Sequence, residues 1–207
     1  MIVIIDYGMG NLRSVQKALE RLGFPVCVSA DPDIVRRADR LILPGVGAFR
    51  DCMGRLVEGG FVEPILRHIE AGRPFLGICL GMQLLFAESE EFGRHRGLGI
   101  LPGRVIRFRQ ETTADGVELK VPHMGWNRLH LCAPSPLFHG VEEGSFVYFV
   151  HSYHVIPEEE AVVAATTDYG LVFCSSICKD NITACQFHPE KSQQVGLKIL
   201  NNFGGMK

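Results

Sequence analysis

Pro74-Phe75-Leu76-Gly77-Ile78-Cys79-Leu80-Gly81-Met82-Gln83-Leu84-Leu85-Phe86 crosses the middle of the chain without a single charged residue. Pro74 to Ile78 is a short apolar run of the kind that forms a strand buried on both faces, and Cys79 falls at its end. Leu80 to Glu90 is helical in composition and begins at once, with no loop between. A strand that passes directly into a helix belongs to a sheet with crossover helices, and the residue at such a junction is lifted off the sheet edge on a tight turn. Gly77 and Gly81 flank that turn and remove side chains that would collide there.

Upstream, the pattern continues the alternation of strand and helix. Met1 to Asp6 is an apolar run, and Leu12, Val15, Leu19 and Leu22 recur at helical spacing before Gly23 and Pro25 stop the helix. Pro25 to Ala30 reads as a second strand. Asp31 and Pro32 read as N-cap and first residue of a short helix to about Ala38. Arg40 to Pro44 is a third strand, and helical patterns follow over Ala48 to Val57 and Phe61 to Ala71. From Arg104 the runs turn short and β-like: Arg104 to Arg109, Phe146 to His151, Ala161 to Thr167, Leu171 to Cys178 and Ile182 to Phe187. Gln194 to Phe203 closes as an amphipathic helix, and Gln110 to Leu119 is expected to be an exposed hairpin or loop. No repeat or linker divides the chain, so residues 1–207 are expected to form one mixed α/β domain.

Composition narrows the function classes. The chain is 46% hydrophobic, 21% charged and 9% aromatic, which excludes disordered, collagen-like and disulfide-framework proteins. Its 21 basic and 23 acidic residues give a net charge of −2, against a nucleic-acid or anionic-membrane partner. The longest uncharged apolar stretch, Phe75 to Ala87, is well short of the roughly 20 residues a spanning helix needs. The N-terminus has no basic region and reads as a buried strand rather than a signal peptide. The cysteines (27, 52, 79, 132, 174, 178 and 185) are seven, an odd number without a C-x-x-C pair, as expected for a reduced, cytoplasmic protein. Asn181-Ile182-Thr183 then reads as a strand entry rather than a glycosylation site.

Gly77-Ile78-Cys79-Leu80-Gly81 presents a nucleophile candidate. At a helix N-terminus, with a basic partner near, a thiol is shifted toward thiolate, and the Leu80 N–H would face a developing oxyanion. A buried structural cysteine is the alternative. Gln186-Phe187-His188-Pro189-Glu190 supplies what a nucleophile needs: His188 as general base at a strand end, and Glu190 as the carboxylate that orients it. Pro44-Gly45-Val46-Gly47, after the third strand, offers the Val46 and Gly47 amides as further oxyanion donors.

At these residues the chain resembles the triad-type (class I) glutamine amidotransferases. Within them it is most similar to the branch of separate glutaminase subunits that feed a cyclase of histidine biosynthesis. The resemblance covers essentially the whole chain and includes Asp6-Tyr7-Gly8-Met9-Gly10-Asn11, Pro122-His123-Met124-Gly125-Trp126-Asn127, Phe149-Val150-His151-Ser152-Tyr153 and the ending Glu190-Lys191-Ser192. It implies an α/β flavodoxin-like fold: a central, mostly parallel sheet with flanking helices and added antiparallel strands in the second half. It implies Cys79 as nucleophile, His188 as base then acid, and Glu190 as orienting carboxylate. Gly47, Gln83, Ser152 and Tyr153 are implied as the glutamine-binding surface. Glu91 is offered for the substrate's ammonium group, although a solvated acidic face with Glu88 and Glu90 is equally open. No cofactor and no metal are implied. The implied partner is a separate (βα)₈-barrel cyclase that takes the ammonia, with Asn11, Met124, Trp126 and Lys191 at the interface; a core position for Trp126 is the alternative.

Other readings compete with this one. Gly8-Met9-Gly10 after the first strand, with Asp31 about 20 residues on, suggests a dinucleotide-binding module. Arg13 at its third position would block the close helix packing a glycine permits, and Asp31 is better explained as a cap. A cysteine-based α/β-hydrolase would place its acid before the histidine, whereas Glu190 follows it. A pseudo-enzyme that only docks a partner fits poorly with an intact triad. A glutaminase that serves a different acceptor synthase is the nearest alternative, and a metal site at His151 and His154 lacks closing ligands.

Overall fold

The computed structural model describes residues 1–109 and 119–207. The first half alternates as its sequence predicts: β1 (Ile2–Ile5), α1 (Leu12–Arg21), β2 (Val26–Ser29), α2 (Pro32–Arg36), β3 (Arg40–Gly45), α3 (Phe49–Glu58), α4 (Val62–Glu70), β4 (Phe75–Cys79) and α5 (Leu80–Gln83). The second half holds β5 (Phe86–Ser89), β6 (His95–Arg96), β7 (Leu101–Arg107), β8 (His123–Arg128), β9 (His130–Leu131), β10 (Phe146–His151), β11 (Tyr153–Pro157), β12 (Val163–Asp168), β13 (Val172–Lys179), β14 (Ile182–Cys185) and α6 (Gln193–Gly205).

The sheet runs β2-β1-β3-β4-β14-β13-β11-β7-β5-β6. From β2 to β14 all neighbours are parallel. This is the 2-1-3-4-5 order of a flavodoxin-like sheet, with β14 as its fifth strand. β13 pairs antiparallel to β14 and begins the extension. A separate antiparallel pair, β8 and β10, stands off the main sheet.

Strand β1 shows how the layers are made. Side chains alternate across a strand, and all four residues here are buried, so both faces must be covered. Val3 and Ile5 pack with Val35, Cys52, Leu56 and Ile65 of α2, α3 and α4. Ile2 and Ile4 pack with Val15 and Leu19 of α1 and with Ile199, Leu200 and Phe203 of α6. Asp31 caps α2 by accepting from the Asp33 N–H at 2.9 Å. That role accounts for Asp31 and removes the acidic residue on which the dinucleotide reading rested.

The helix expected from Leu80 to Glu90 is cut to Leu80–Gln83, and Phe86–Ser89 is a strand. Competing backbone donors explain the change. The Leu84 carbonyl accepts from the Leu98 N–H, and the Leu85 carbonyl from the Ile100 and Leu101 N–H groups, so the oxygens that would propagate the helix are taken by the chain returning beside them. Gln110 to Leu119, expected as a hairpin or loop, lies outside the described residues except for Leu119.

The strand ends of the parallel sheet gather at one edge. Gly45 of β3 stands abreast of Cys79 in β4. A Cβ on Gly81 would fall within the van der Waals radius of the Leu43 carbonyl oxygen, and one on Gly77 would sit 2.8 Å from the Gly81 carbonyl. The two glycines therefore let helix α5 close onto strand β3. Gly81→Ala is expected to cost about 3 kcal/mol or to displace α5. Chemical denaturation and glutamine turnover check this; a variant with wild-type stability and turnover refutes the packing constraint.

Candidate active site

Cys79 leaves β4 with φ 55° and ψ −110°, outside the regions a non-glycine residue normally occupies. Such strain persists only where the surroundings enforce it, and it turns the side chain off the strand into the cleft at the sheet edge. Because α5 is only four residues long, its dipole supplies less to the sulfur than the longer helix expected from sequence.

A cavity of about 410 Å³ opens over Cys79, a size suited to a small molecule. Val46, Gly47 and Leu80, the expected oxyanion donors, line it together with His188. So do Gln83, Glu91, Ser152, Tyr153 and Lys191. The Leu80 N–H belongs to the first turn of its helix, where no carbonyl four residues earlier is placed to receive it. The Cys52 thiol donates to the Val46 carbonyl at 3.5 Å and steadies the loop after β3.

His188 follows β14, the strand beside β4. Its N–H donates to the Tyr148 carbonyl at 2.9 Å, and the Ser192 hydroxyl donates to the His188 carbonyl at 2.7 Å. The same hydroxyl oxygen accepts from the Tyr148 N–H at 3.0 Å, which ties the His188 turn to β10. Pro189–Lys191 is a short 3₁₀ turn that swings Glu190 back, so its carboxylate receives the His188 Nδ1 proton at 2.9 Å. Both side chains are almost wholly buried, at 3% and 1% exposure. This leaves Nε2 as the imidazole's working atom, and it has no hydrogen-bond partner among the described residues.

Burial alone would lower the His188 pKa. A negative charge on Cys79 and the paired Glu190 overcome that effect and raise it to about 10. His123 and His151 are also buried but face no such charge, and desolvation lowers them to about 4 and about 3. One residue type thus has its pKa raised at His188 and lowered at His123 and His151.

Gln83 is 3% exposed, and its amide nitrogen donates to the Tyr153 carbonyl at 3.0 Å and to Gln186 Oε1 at 2.9 Å. Both amide protons are engaged within the protein, so the carbonyl oxygen is its remaining polar group. Glu91 accepts the Phe49 N–H at 2.6 Å, which anchors it on the cavity wall rather than on a free acidic face. Two residues of the quoted motifs take a part that the sequence pattern does not assign to them. Ser192 is described above, and Gln186 sends its side-chain N–H to the Cys79 sulfur at 3.6 Å. Its place two residues before His188, on the same side of an extended chain, is the signal that would have found it.

The residues implied for a partner surface are more scattered. Met124 and Trp126 on β8 are 66% and 46% exposed, so Trp126 is not a core residue. Trp126 meets Tyr148 edge-on, and Lys191 Nζ lies 5.7 Å from the Tyr148 ring. Asn11 precedes α1 and accepts from the Ser14 hydroxyl at 3.0 Å. His151 is engaged with His123, and among the described residues no group of three or more His, Cys, Asp and Glu is arranged to hold a metal ion.

The sequence profile of the family described as glutamine amidotransferase class-I matches residues 3–205. The chain belongs to the class-I glutamine amidotransferases. Among its relatives in this family is the "Imidazole glycerol phosphate synthase subunit HisH" of Syntrophotalea carbinolica, 66% identical over 100% of both chains. The protein of the same name from Geobacter sulfurreducens is 62% identical over 100% of this chain and 99% of its own. That of Aquifex aeolicus is 59% identical over 97% and 94%. A crystal structure described as a glutamine amidotransferase superposes with a TM-score of 0.74 at 20% identity over 100% of both chains. PurLQS from Thermotoga maritima gives 0.74 at 18% identity over 98% of this chain and 96% of that one. These two likenesses speak for the fold.

As a class-I glutamine amidotransferase the protein carries a prediction about its base. Removing the Cys79 charge takes away the foremost effect holding His188 up, so Cys79→Ala is expected to lower the His188 pKa well below about 10. NMR titration of the imidazole nitrogens reads this, and an unmoved titration refutes the coupling.

Proposed function

We propose that this protein is the glutaminase subunit of an imidazole glycerol phosphate synthase, releasing ammonia from glutamine for a separate cyclase. The observation that carries the chemistry is the buried His188–Glu190 pair, 2.9 Å apart, at a cavity whose floor is Cys79 on a strained turn. The sulfur attacks the side-chain amide carbon of glutamine. The oxygen of the tetrahedral intermediate takes hydrogen bonds from the Leu80 amide and the Val46 or Gly47 amide, each such donor being worth roughly 10²–10³ in rate. His188 passes its proton to the departing nitrogen and ammonia leaves. It then removes a proton from water, which attacks the γ-glutamyl thioester and yields glutamate and the restored sulfur. Glu190 keeps the ring in one tautomer throughout.

Glu91 offsets the substrate's ammonium group, and Gly47, Gln83, Ser152 and Tyr153 shape its side-chain slot. We assign residues 1–207 to one domain, the partner to a (βα)₈-barrel cyclase, and the partner surface to Met124 and Trp126 with Asn11 and Lys191. The exposed apolar side chains of β8 support that assignment. A cytoplasmic site accords with seven free cysteines. No helix among the described residues is long and apolar enough to cross a membrane.

Cys79→Ala is expected to abolish glutamate release while the protein folds and binds its partner, and residual turnover would falsify the mechanism. Glu190→Ala is expected to lower kcat by roughly 10⁴. Adding the barrel cyclase with its nucleotide substrate should raise glutamine turnover sharply. Unchanged turnover points to a different acceptor synthase.

A further inference from the structure

Gln186 is fully buried, and its backbone N–H is held by the Ser175 carbonyl at 2.9 Å. Its side chain lies between two groups of the site: Nε2 is 3.6 Å from the Cys79 sulfur, and Oε1 is 2.9 Å from Gln83 Nε2. Which end of an amide faces the sulfur decides its effect, because an N–H favours a thiolate and a carbonyl oxygen opposes one. The neighbours dictate that direction.

The Tyr153 carbonyl can only accept, so Gln83 must present its nitrogen to it, at 3.0 Å. The same nitrogen meets Gln186, which must answer with its oxygen. Its own nitrogen is then left for the sulfur. The Tyr153 carbonyl is fixed from behind in the same way. His151 Nδ1 lies 2.9 Å from it and must carry its proton there. His151 Nε2, bare in the neutral ring, accepts from His123 Nδ1 at 3.0 Å, and His123 Nε2 accepts from Asn127 Nδ2 at 3.3 Å. Every bond from β8 to the nucleophile therefore has only one permitted direction.

We propose that Gln186 is a further catalytic residue, whose amide N–H holds the Cys79 sulfur as a thiolate, and that Gln83 is a positioning residue that fixes the polarity of that amide. The proposal rests on Cys79 being the nucleophile. The other donors near the sulfur are occupied: the Tyr7 hydroxyl by the Pro44 carbonyl at 2.7 Å, the Cys52 thiol by that of Val46 at 3.5 Å, and the Cys185 thiol by that of Phe187 at 3.4 Å. His188 also faces the sulfur, and it gives its proton away during the reaction. Gln186 keeps its proton and so stabilises the thiolate before attack and again as the thioester breaks.

The test is alkylation of Cys79 by iodoacetamide across pH in the intact chain, followed by mass spectrometry of the peptide that contains it, alongside kcat and KM for glutamine. Gln186→Met, close in size and without the donor, is expected to slow alkylation at neutral pH by about tenfold and to move its profile toward alkaline pH. kcat should fall while KM changes little. Gln83→Met leaves Gln186 in place and frees its amide to turn, so a smaller shift in the same direction is expected. A folded Gln186→Met with the wild-type alkylation profile overturns the proposal, as does a rise in KM alone. If Gln186→Met does not fold, an unshifted profile in Gln83→Met overturns it. Alkylation requires no glutamine turnover, so a wild-type protein that releases no glutamate yet shows these shifts contradicts the glutaminase reading and leaves the hydrogen bond standing.

Discussion

The approach of the Cys79 turn to strand β3 constrains everything at the sheet edge. Helix α5 can begin immediately after β4 only because Gly81 meets the Leu43 carbonyl with no side chain between them, and only then is Cys79 held at φ 55° with its sulfur over the cleft. Parallel pairing brings the loop after β3 to one side of that sulfur and the His188 turn after β14 to the other. Cys79, the His188 turn and the Val46–Gly47 loop thus converge because three neighbouring strands end at the same level.

Burial then sorts the polar groups. In a medium of low dielectric an isolated charge is expensive, so His123 and His151 remain neutral and act as directed links. His188 lies in the same kind of environment with Glu190 and Cys79 against it, and there the charged form is favoured. The difference lies in the neighbours supplied by the chain and not in depth below the surface.

The parallel half of the fold was legible in the sequence because each strand is buried on both faces and each helix carries a one-sided apolar pattern. The grouping of Cys79, His188 and Glu190 at one cleft was legible as well, since Gly77-Ile78-Cys79-Leu80-Gly81 and His188-Pro189-Glu190 each show a distinct local pattern. The limits are as particular. Leu84-Leu85-Phe86 reads as helix, yet the backbone of residues 98–101 captures its carbonyls, a contact no local pattern discloses. The β8 strand at His123-Met124-Gly125-Trp126 was missed because its exposed Met124 and Trp126 break the usual rule of apolar residues inside. Gln186 looked like one more residue of an apolar strand; its role depends on Gln83, which is distant in sequence and adjacent in space.

Strand β14 lies in the interior of the sheet, between β4 and β13, although it comes last in chain order among the described strands. The nucleophile is laid down in the first half of the chain and must wait for its base until this strand slots into the gap. During translation the polypeptide therefore has its thiol in place long before it has any means of activating it. A chain cut before β14 holds Cys79 without His188 and Glu190.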